Sequence, residues 1–220
     1  VGAAQTYAQD VRVSNEPHAL TTCLDSHPWL ASAHVGNTVS GVLLVLSADG
    51  INALRQHGRK VFLGHVHAHI AEVAFALPLI WRVLGSAPDD LSPHAIDVLL
   101  QSPRPDHVAP STEREEDGIW TLVLQLPPEL IHFDGHFPQA PVLPGVLQVG
   151  WALALAAPRL GTSMHCREME SLKFQQLLRP CDEVELTLRL DAARGKLHFA
   201  YHLAGAHASS GRLCVEQARG

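Results

Sequence analysis

Phe133-Asp134-Gly135-His136-Phe137-Pro138-Gln139-Ala140-Pro141-Val142-Leu143-Pro144-Gly145-Val146 sets one histidine between two short glycine- or proline-bearing turns and runs straight into an apolar segment, Val146 to Ala157. Pro144 suits the first turn of a helix, where a missing amide hydrogen costs no internal bond. The pattern predicts a helix over 146–157. Before it, Trp120 to Leu126 alternates as a strand does, and Pro127-Pro128 ends it. After it come four strand candidates, Met164 to Phe174, Glu183 to Asp191, Lys196 to Ala204 and His207 to Glu216, the first three separated by the turns Arg179-Pro180-Cys181-Asp182 and Ala192-Ala193-Arg194-Gly195. One apolar helix among antiparallel strands implies a sheet wrapped around that helix.

Working outward, a chain of 220 residues exceeds the commonest domain size, so two small domains are expected. Residues 101–119 hold Ser102-Pro103-Arg104-Pro105 and the charged run Glu113-Arg114-Glu115-Glu116-Asp117-Gly118, which reads as a solvated linker between a domain over 1–100 and one over 120–220. In the first part, Glu16 to Asp25 predicts a short helix and Gly41 to Leu46 a continuous apolar strand. Ser47 or Asp49 then caps a helix through Asn52 to Ala74, and Leu79 to Leu84 reads as a strand. That part is a small α/β domain.

The order of elements, with His136-Phe137-Pro138-Gln139-Ala140-Pro141-Val142-Leu143-Pro144-Gly145-Val146, resembles the hotdog-fold dehydratases that act on 3-hydroxyacyl thioesters carried by acyl carrier protein. Leu172-Lys173-Phe174 and Leu178-Arg179-Pro180-Cys181-Asp182 look like two further segments of that family, so the likeness runs from about Trp120 to Glu216. The resemblance implies an α+β hotdog fold behind the small α/β domain. A weaker likeness covers Val11 to Leu100: Arg12-Val13-Ser14, Leu24-Asp25-Ser26-His27-Pro28-Trp29-Leu30 and the strand Val42 to Leu46 resemble the small C-terminal domain of acyl-adenylating ligases. Those domains carry a lysine where this chain, after Trp81-Arg82, has Pro93-His94. A mostly neutral histidine cannot supply a lysine's fixed charge, so adenylation by this chain is not expected.

Dehydration needs a base for the C2 proton and an acid for the departing C3 hydroxyl. In the resembling family a histidine is the base and a helix Glu or Asp, usually of the other protomer, is the acid. His136 matches the base, and a histidine's ordinary pKa of about 6.5 leaves a neutral nitrogen at neutral pH. At the acid's position this chain has Gly150, between Val149 and Trp151, and glycine has no proton to give. Asp134 and His132 are the nearest surrogates in sequence. Gly145 and Val146 would offer helix N-terminal amides to the thioester carbonyl, with Phe137 and Gln148 as further substrate contacts. Trp151, Leu153 and Leu155 read as packing.

The expected partner is therefore an acyl carrier protein or CoA thioester, in fatty-acid, polyketide or aryl-polyene type biosynthesis. The alternatives are a non-catalytic acyl-binding or scaffold domain that lost its helix carboxylate, and an acyl thioesterase. Charged residues at 17% are sparse enough to suggest a homodimer, and a formal net charge of -6 without a basic run argues against nucleic acid. Docking to an acidic carrier would need a local basic patch, with Arg159, Arg167, Lys173 and Arg179 as candidates. Cys23, Cys166, Cys181 and Cys214 form no Cys-x-x-Cys pair, so free thiols and a cytoplasmic setting are expected, without membrane insertion. No cofactor is implied. Among 15 histidines, His65 and His69 share a helix face that could hold a metal, although solvated surface is the expected reading and no metal is assigned. The chain opens on Val1 rather than Met, as a fragment or processed chain would.

Overall fold

A computed structural model describes residues 18–72, 78–137 and 139–217. The chain divides into two compact units, one reaching Arg104 and taking in 138–140, the other comprising Pro105–Phe137 and Pro141–Gly220.

In the first unit, residues 18–25 are helical; Glu16, Pro17 and the segment Arg12-Val13-Ser14 lie outside the described residues. Strands β1 (Leu30–Val35), β2 (Gly41–Leu46) and β3 (Ile80–Leu84) form a sheet in that order, β1 antiparallel and β3 parallel to β2. All six residues of β2 are buried, which is why its sequence is continuously apolar rather than alternating. Helix α1 (Ala48–Ile70), broken by a kink at Gly58 (φ +74°), makes the crossover from β2 to β3 and begins where expected, the Ser47 hydroxyl accepting from the Gly50 amide at 3.1 Å. It ends at Ile70, and the expected end at Ala74 lies outside the described residues.

A second helix, α2 (Pro93–Gln101), falls in a stretch to which the sequence reading assigns no element, because closely spaced prolines ordinarily break a chain. Pro93 instead occupies the first turn, and the Ser92 hydroxyl accepts from the Ala95 amide. Ile96 and Leu100 of α2 pack on Leu43 of β2.

The second unit is a six-stranded antiparallel sheet of order β4-β5-β7-β8-β9-β6 carrying one long helix. Its strands are β4 (Pro110–Glu116), β5 (Ile119–Gln125), β6 (Thr162–Phe174), β7 (Glu183–Asp191), β8 (Lys196–Leu203) and β9 (Ala206–Gln217), and its helix is α3 (Gly145–Leu160). Period-two alternation buries Leu122 and Leu124 of β5, Val184, Leu186 and Leu188 of β7, and Leu197, Phe199 and Tyr201 of β8. Against them α3 sets Val149, Trp151, Ala152, Leu153 and Ala156, so Trp151 and Leu153 are core residues as expected. The fold is α+β of hotdog type, with a smaller α/β region before it.

Two boundaries differ from the sequence reading. The stretch 101–119, expected to be a linker, contains β4, a strand whose last six residues are exposed. An edge strand needs no apolar face and is protected from stray pairing by its charges, so Ser-Thr-Glu-Arg-Glu-Glu looks like linker while forming a ladder with β5. Helix α3 extends past Ala157 because Pro158 falls in its last turn, and Gly161, at φ +62°, closes it with its amide on the Ala157 carbonyl at 3.1 Å.

Candidate active site

The histidine loop leads from β5 to α3, and His136, Phe137 and the residues from Pro141 onward belong to the second unit. A short 3-10 turn (Ile131–Phe133) buries Phe133, and the chain then exposes Asp134 and Gly135 before reaching His136. The Val142 amide donates to the His136 carbonyl at 2.9 Å, closing 136–142 into a loop whose far end is two residues from Pro144. That end is fixed in turn by the Leu143 amide on the Leu178 carbonyl at 2.7 Å, with Val142 and Leu143 both buried. Buried apolar residues therefore anchor the loop while its polar residue stays accessible.

The His136 ring is half-buried and stacks on Phe137, whose centroid is 4.5 Å away. Its Nδ1 is buried and has no hydrogen-bond partner among the described residues. An unpartnered buried ring nitrogen is costly, and such atoms in native folds call for a specific explanation. Phe137 itself is 60% exposed and Val146 is 74% exposed, so two of the expected substrate contacts present apolar surface at the loop and at the helix start.

At the start of α3, Pro144 is the cap, and its carbonyl accepts from the Leu147 and Gln148 amides. The amides of Gly145 and Val146, at the first two helical positions, have no partner among the described residues. The Phe174 ring lies so close to Gly145 that a Cβ there would be 2.7 Å from two of its carbons. The end of edge strand β6 thus roofs the first residue of the helix.

Gln148 is placed differently from its sequence reading as a substrate contact. The side chain is turned inward and 3% exposed: Nε2 donates to the Leu143 carbonyl at 3.1 Å and Oε1 accepts from the Ser209 hydroxyl at 2.5 Å. The Gln148 backbone carbonyl accepts from the Tyr201 hydroxyl at 2.9 Å, and complete burial pushes that phenol's pKa up. The side-chain amide ties the helix start to β9, and the backbone carbonyl ties it to β8. Sequence reasoning missed Ser209 and Tyr201 because a hydroxyl inside an alternating strand looks like any other inward position.

Gly150 is exposed, and a Cβ there would meet nothing within 4 Å. Of the two surrogates for the missing acid, His132 has Nε2 on the Asp106 carbonyl at 2.8 Å, and Asp134 is an exposed residue just after the 3-10 turn. The four arginine and lysine candidates for a basic patch also separate. Arg159 is paired with Glu113, and Arg167 with Glu216. The Arg179 backbone amide donates to the Asp182 carboxylate at 2.6 Å, and Lys173 lines an open depression on the sheet.

In the first unit, His69 Nε2 lies 3.1 Å from the Ser26 hydroxyl and 3.0 Å from the Cys23 carbonyl, while the His65 ring sits 5.1 Å from that of Trp29. These contacts tie both rings to the 23–29 segment rather than to each other. His94, in the first turn of α2, is exposed. All four cysteines are free thiols. Among the described residues no helix is long and apolar enough to cross a membrane.

Comparison with known proteins places the match in the second unit. The ApeI-like family, described as ApeI dehydratase, matches residues 111–212. The 3-hydroxyacyl-[acyl-carrier-protein] dehydratase FabZ of Streptococcus thermophilus is 31% identical over 112 residues, spanning 48% of this chain and 74% of that protein. FabZ of Syntrophobacter fumaroxidans is 31% identical over 111 residues, spanning 47% of this chain and 70% of that protein. Among solved structures, the dehydratase heterocomplex ApeI:P from Xenorhabdus doucetiae aligns at 30% identity over 50% of this chain and 97% of that one, with a TM-score of 0.46.

Proposed function

This chain belongs to the hotdog-fold dehydratase family of the FabZ and ApeI proteins, whose substrates are acyl thioesters, and from that premise we propose that its second unit takes 3-hydroxyacyl thioesters with His136 as the base. The observation that carries this reading is the buried, unpartnered Nδ1 of His136 in a loop closed onto the residues that begin α3. The ring would accept the C2 proton. The electron pair left on C2 forms the double bond to C3 as the C3–O bond breaks, and the oxygen departs as water once it has taken a proton. The Gly145 and Val146 amides would carry the negative charge that gathers on the thioester oxygen during proton removal.

A second reading has its own support. Gly150 offers no acid, so the unit could bind the acyl group without completing water loss. A short 3-hydroxyacyl group on carrier protein or coenzyme A, followed by mass spectrometry, separates the readings. Water loss that disappears in His136→Ala supports the dehydratase. Saturable acyl binding with neither water loss nor free acid supports the acyl-binding domain, and release of free acid would make it a thioesterase.

The partner is proposed to be a carrier-protein or CoA thioester, and the working form a homodimer. Edge strand β6 supports the dimer: Met164, Met169 and Phe174 are 62%, 52% and 50% exposed on it, an unusual load of apolar surface for an unpaired edge. Four free thiols agree with a reducing, cytoplasmic setting. The ligase-like reading of the first unit rests on its quoted residues and on the βαβ crossover from β2 to β3, and with His94 at the lysine's place it is proposed without adenylating activity.

A further inference from the structure

The solvent face of the second unit's sheet carries a cationic row that the proposed chemistry does not use. Ladder pairing sets Arg189 of β7 opposite His198 of β8, and His198 opposite Arg212 of β9. His198 stands between the two guanidiniums, so two arginines share this face of a chain that has only 16 lysines and arginines against 22 carboxylates. Arg212 also donates from Nη2 to the Ser171 hydroxyl at 2.9 Å, which fixes its guanidinium beside β6.

The next row along the strands is Thr187, Ala200 and Ser210, paired in turn with Lys173 of β6. Small side chains there leave a depression of about 370 Å³ whose lining includes Lys173, Arg189, Arg212, Thr187 and Ser210. That volume falls within the range of small-ligand sites, about 300–1,000 Å³.

The acidic groups nearby neutralise one side only. Glu170 takes the Lys196 ammonium at 2.9 Å on each oxygen and lies 3.5 Å from Arg212 Nε, while Asp191 pairs with Arg194 at 3.8 Å. Arg189 and Lys173 have no carboxylate partner among the described residues. His198 is held below its ordinary pKa by burial first and then by Arg189 and Arg212, as expected where positive potential accumulates.

We propose that this depression is a binding site for a phosphate group, held by the guanidinium forks of Arg189 and Arg212, the Lys173 ammonium and the Thr187 and Ser210 hydroxyls. Guanidinium matches phosphate oxygens two at a time, and an anion here would neutralise the cations that face the depression. The shared chemistry is a phosphate ester, which could be the terminal group of pantetheine 4′-phosphate or the phosphates of coenzyme A. The site is independent of His136.

The test is calorimetric titration of the full chain at low ionic strength with inorganic pyrophosphate, pantetheine 4′-phosphate and coenzyme A. Saturable binding of at least one probe is expected, weakened tenfold or more by Arg189→Gln with Lys173→Gln, and unchanged by His136→Ala. Both substituted side chains are exposed, and each single variant should show part of the loss should the double variant be unstable. Pantetheine 4′-phosphate binding as tightly as coenzyme A assigns the carrier arm; coenzyme A and pyrophosphate binding without it assigns a diphosphate. No saturable binding by any probe, or an affinity indifferent to both substitutions, overturns the proposal. Loss of dehydration in His136→Ala with intact phosphate binding keeps the two sites separable.

Discussion

The first residue of α3, Gly145, lies under the ring of Phe174, the last residue of β6, at a distance where a Cβ would be 2.7 Å from two ring carbons. Gly145→Ala should therefore displace the ring or the helix start. Overpacking of this kind costs about 1–3 kcal/mol, and because Phe174 is half-exposed the ring can give way, so the lower part of that range is expected. Turnover should fall more than stability, since the amide meant for the thioester oxygen moves with the helix start. Thermal midpoints and kcat for Gly145→Ala alone and combined with Phe174→Ala check this: the second change should restore the midpoint.

Gly150 gives a gain-of-function prediction. The space around it is open, so a glutamate fits without displacing a neighbour. Replacing a mid-helix glycine with a good helix former also relieves up to about 1 kcal/mol of unfavourable backbone entropy. Gly150→Glu is expected to raise the midpoint and to raise water loss from a 3-hydroxyacyl thioester at least tenfold, with acyl affinity unchanged. A higher midpoint with no change in turnover would show that the position does not face the reacting hydroxyl.

Gln148, Ser209 and Tyr201 form a buried polar strut, and removing one member strands the others. Ser209→Ala leaves the Gln148 Oε1 without its donor, and leaving a buried polar atom unsatisfied costs about 1–3 kcal/mol. Tyr201→Phe removes the bond to the Gln148 carbonyl and should cost about 1 kcal/mol. Gln148→Leu strands both the Leu143 carbonyl and the Ser209 hydroxyl, so it should exceed either single change. Denaturant midpoints at constant m-value measure all three. An effect confined to KM would instead return Gln148 to the substrate-contact role read from the sequence.

The hotdog unit was legible because its core strands alternate with little interruption and its helix is announced by Pro144-Gly145. Segments whose residues answer to something other than burial were not. β4 is a strand without an apolar face, recognisable only through its pairing with β5. α2 was hidden by Pro93, which breaks a helix interior but starts one equally well. At the site, His136 and the helix start could be read from spacing, whereas the inward turn of Gln148 depends on Ser209, sixty-one residues away. Charge pairing was illegible for the same reason: the carboxylate partners of Arg159 and Arg167 lie 46 and 49 residues away, and Arg189 and Arg212 come onto one face only through the ladder.

Asp97 supplies a pH dependence confined to the first unit. Its buried carboxylate accepts from the Thr38 hydroxyl at 2.6 Å and from the Thr38 and Asn37 amides at 2.9 and 2.8 Å, and these bonds, the Thr38 hydroxyl first, hold its pKa below the usual carboxylate range. An unfolded aspartate titrates at about 3.9. Because the folded value is lower, the stabilisation is complete above that pH and drains away as pH falls through the folded pKa. Asp90 is lowered as well, first by the Ser92 amide, but it sits exposed at the cap of α2 and should contribute less. Asp97→Asn should destabilise the first unit at pH 7 and flatten its acid limb below about pH 4, whereas Asp90→Asn should leave most of that slope in place. The emission of Trp29 and Trp81 during denaturant unfolding reports on this unit, with Trp120→Phe and Trp151→Phe removing the signal of the other. An unchanged acid limb in Asp97→Asn would mean that the loop 36–38 is held by its packing and not by this carboxylate.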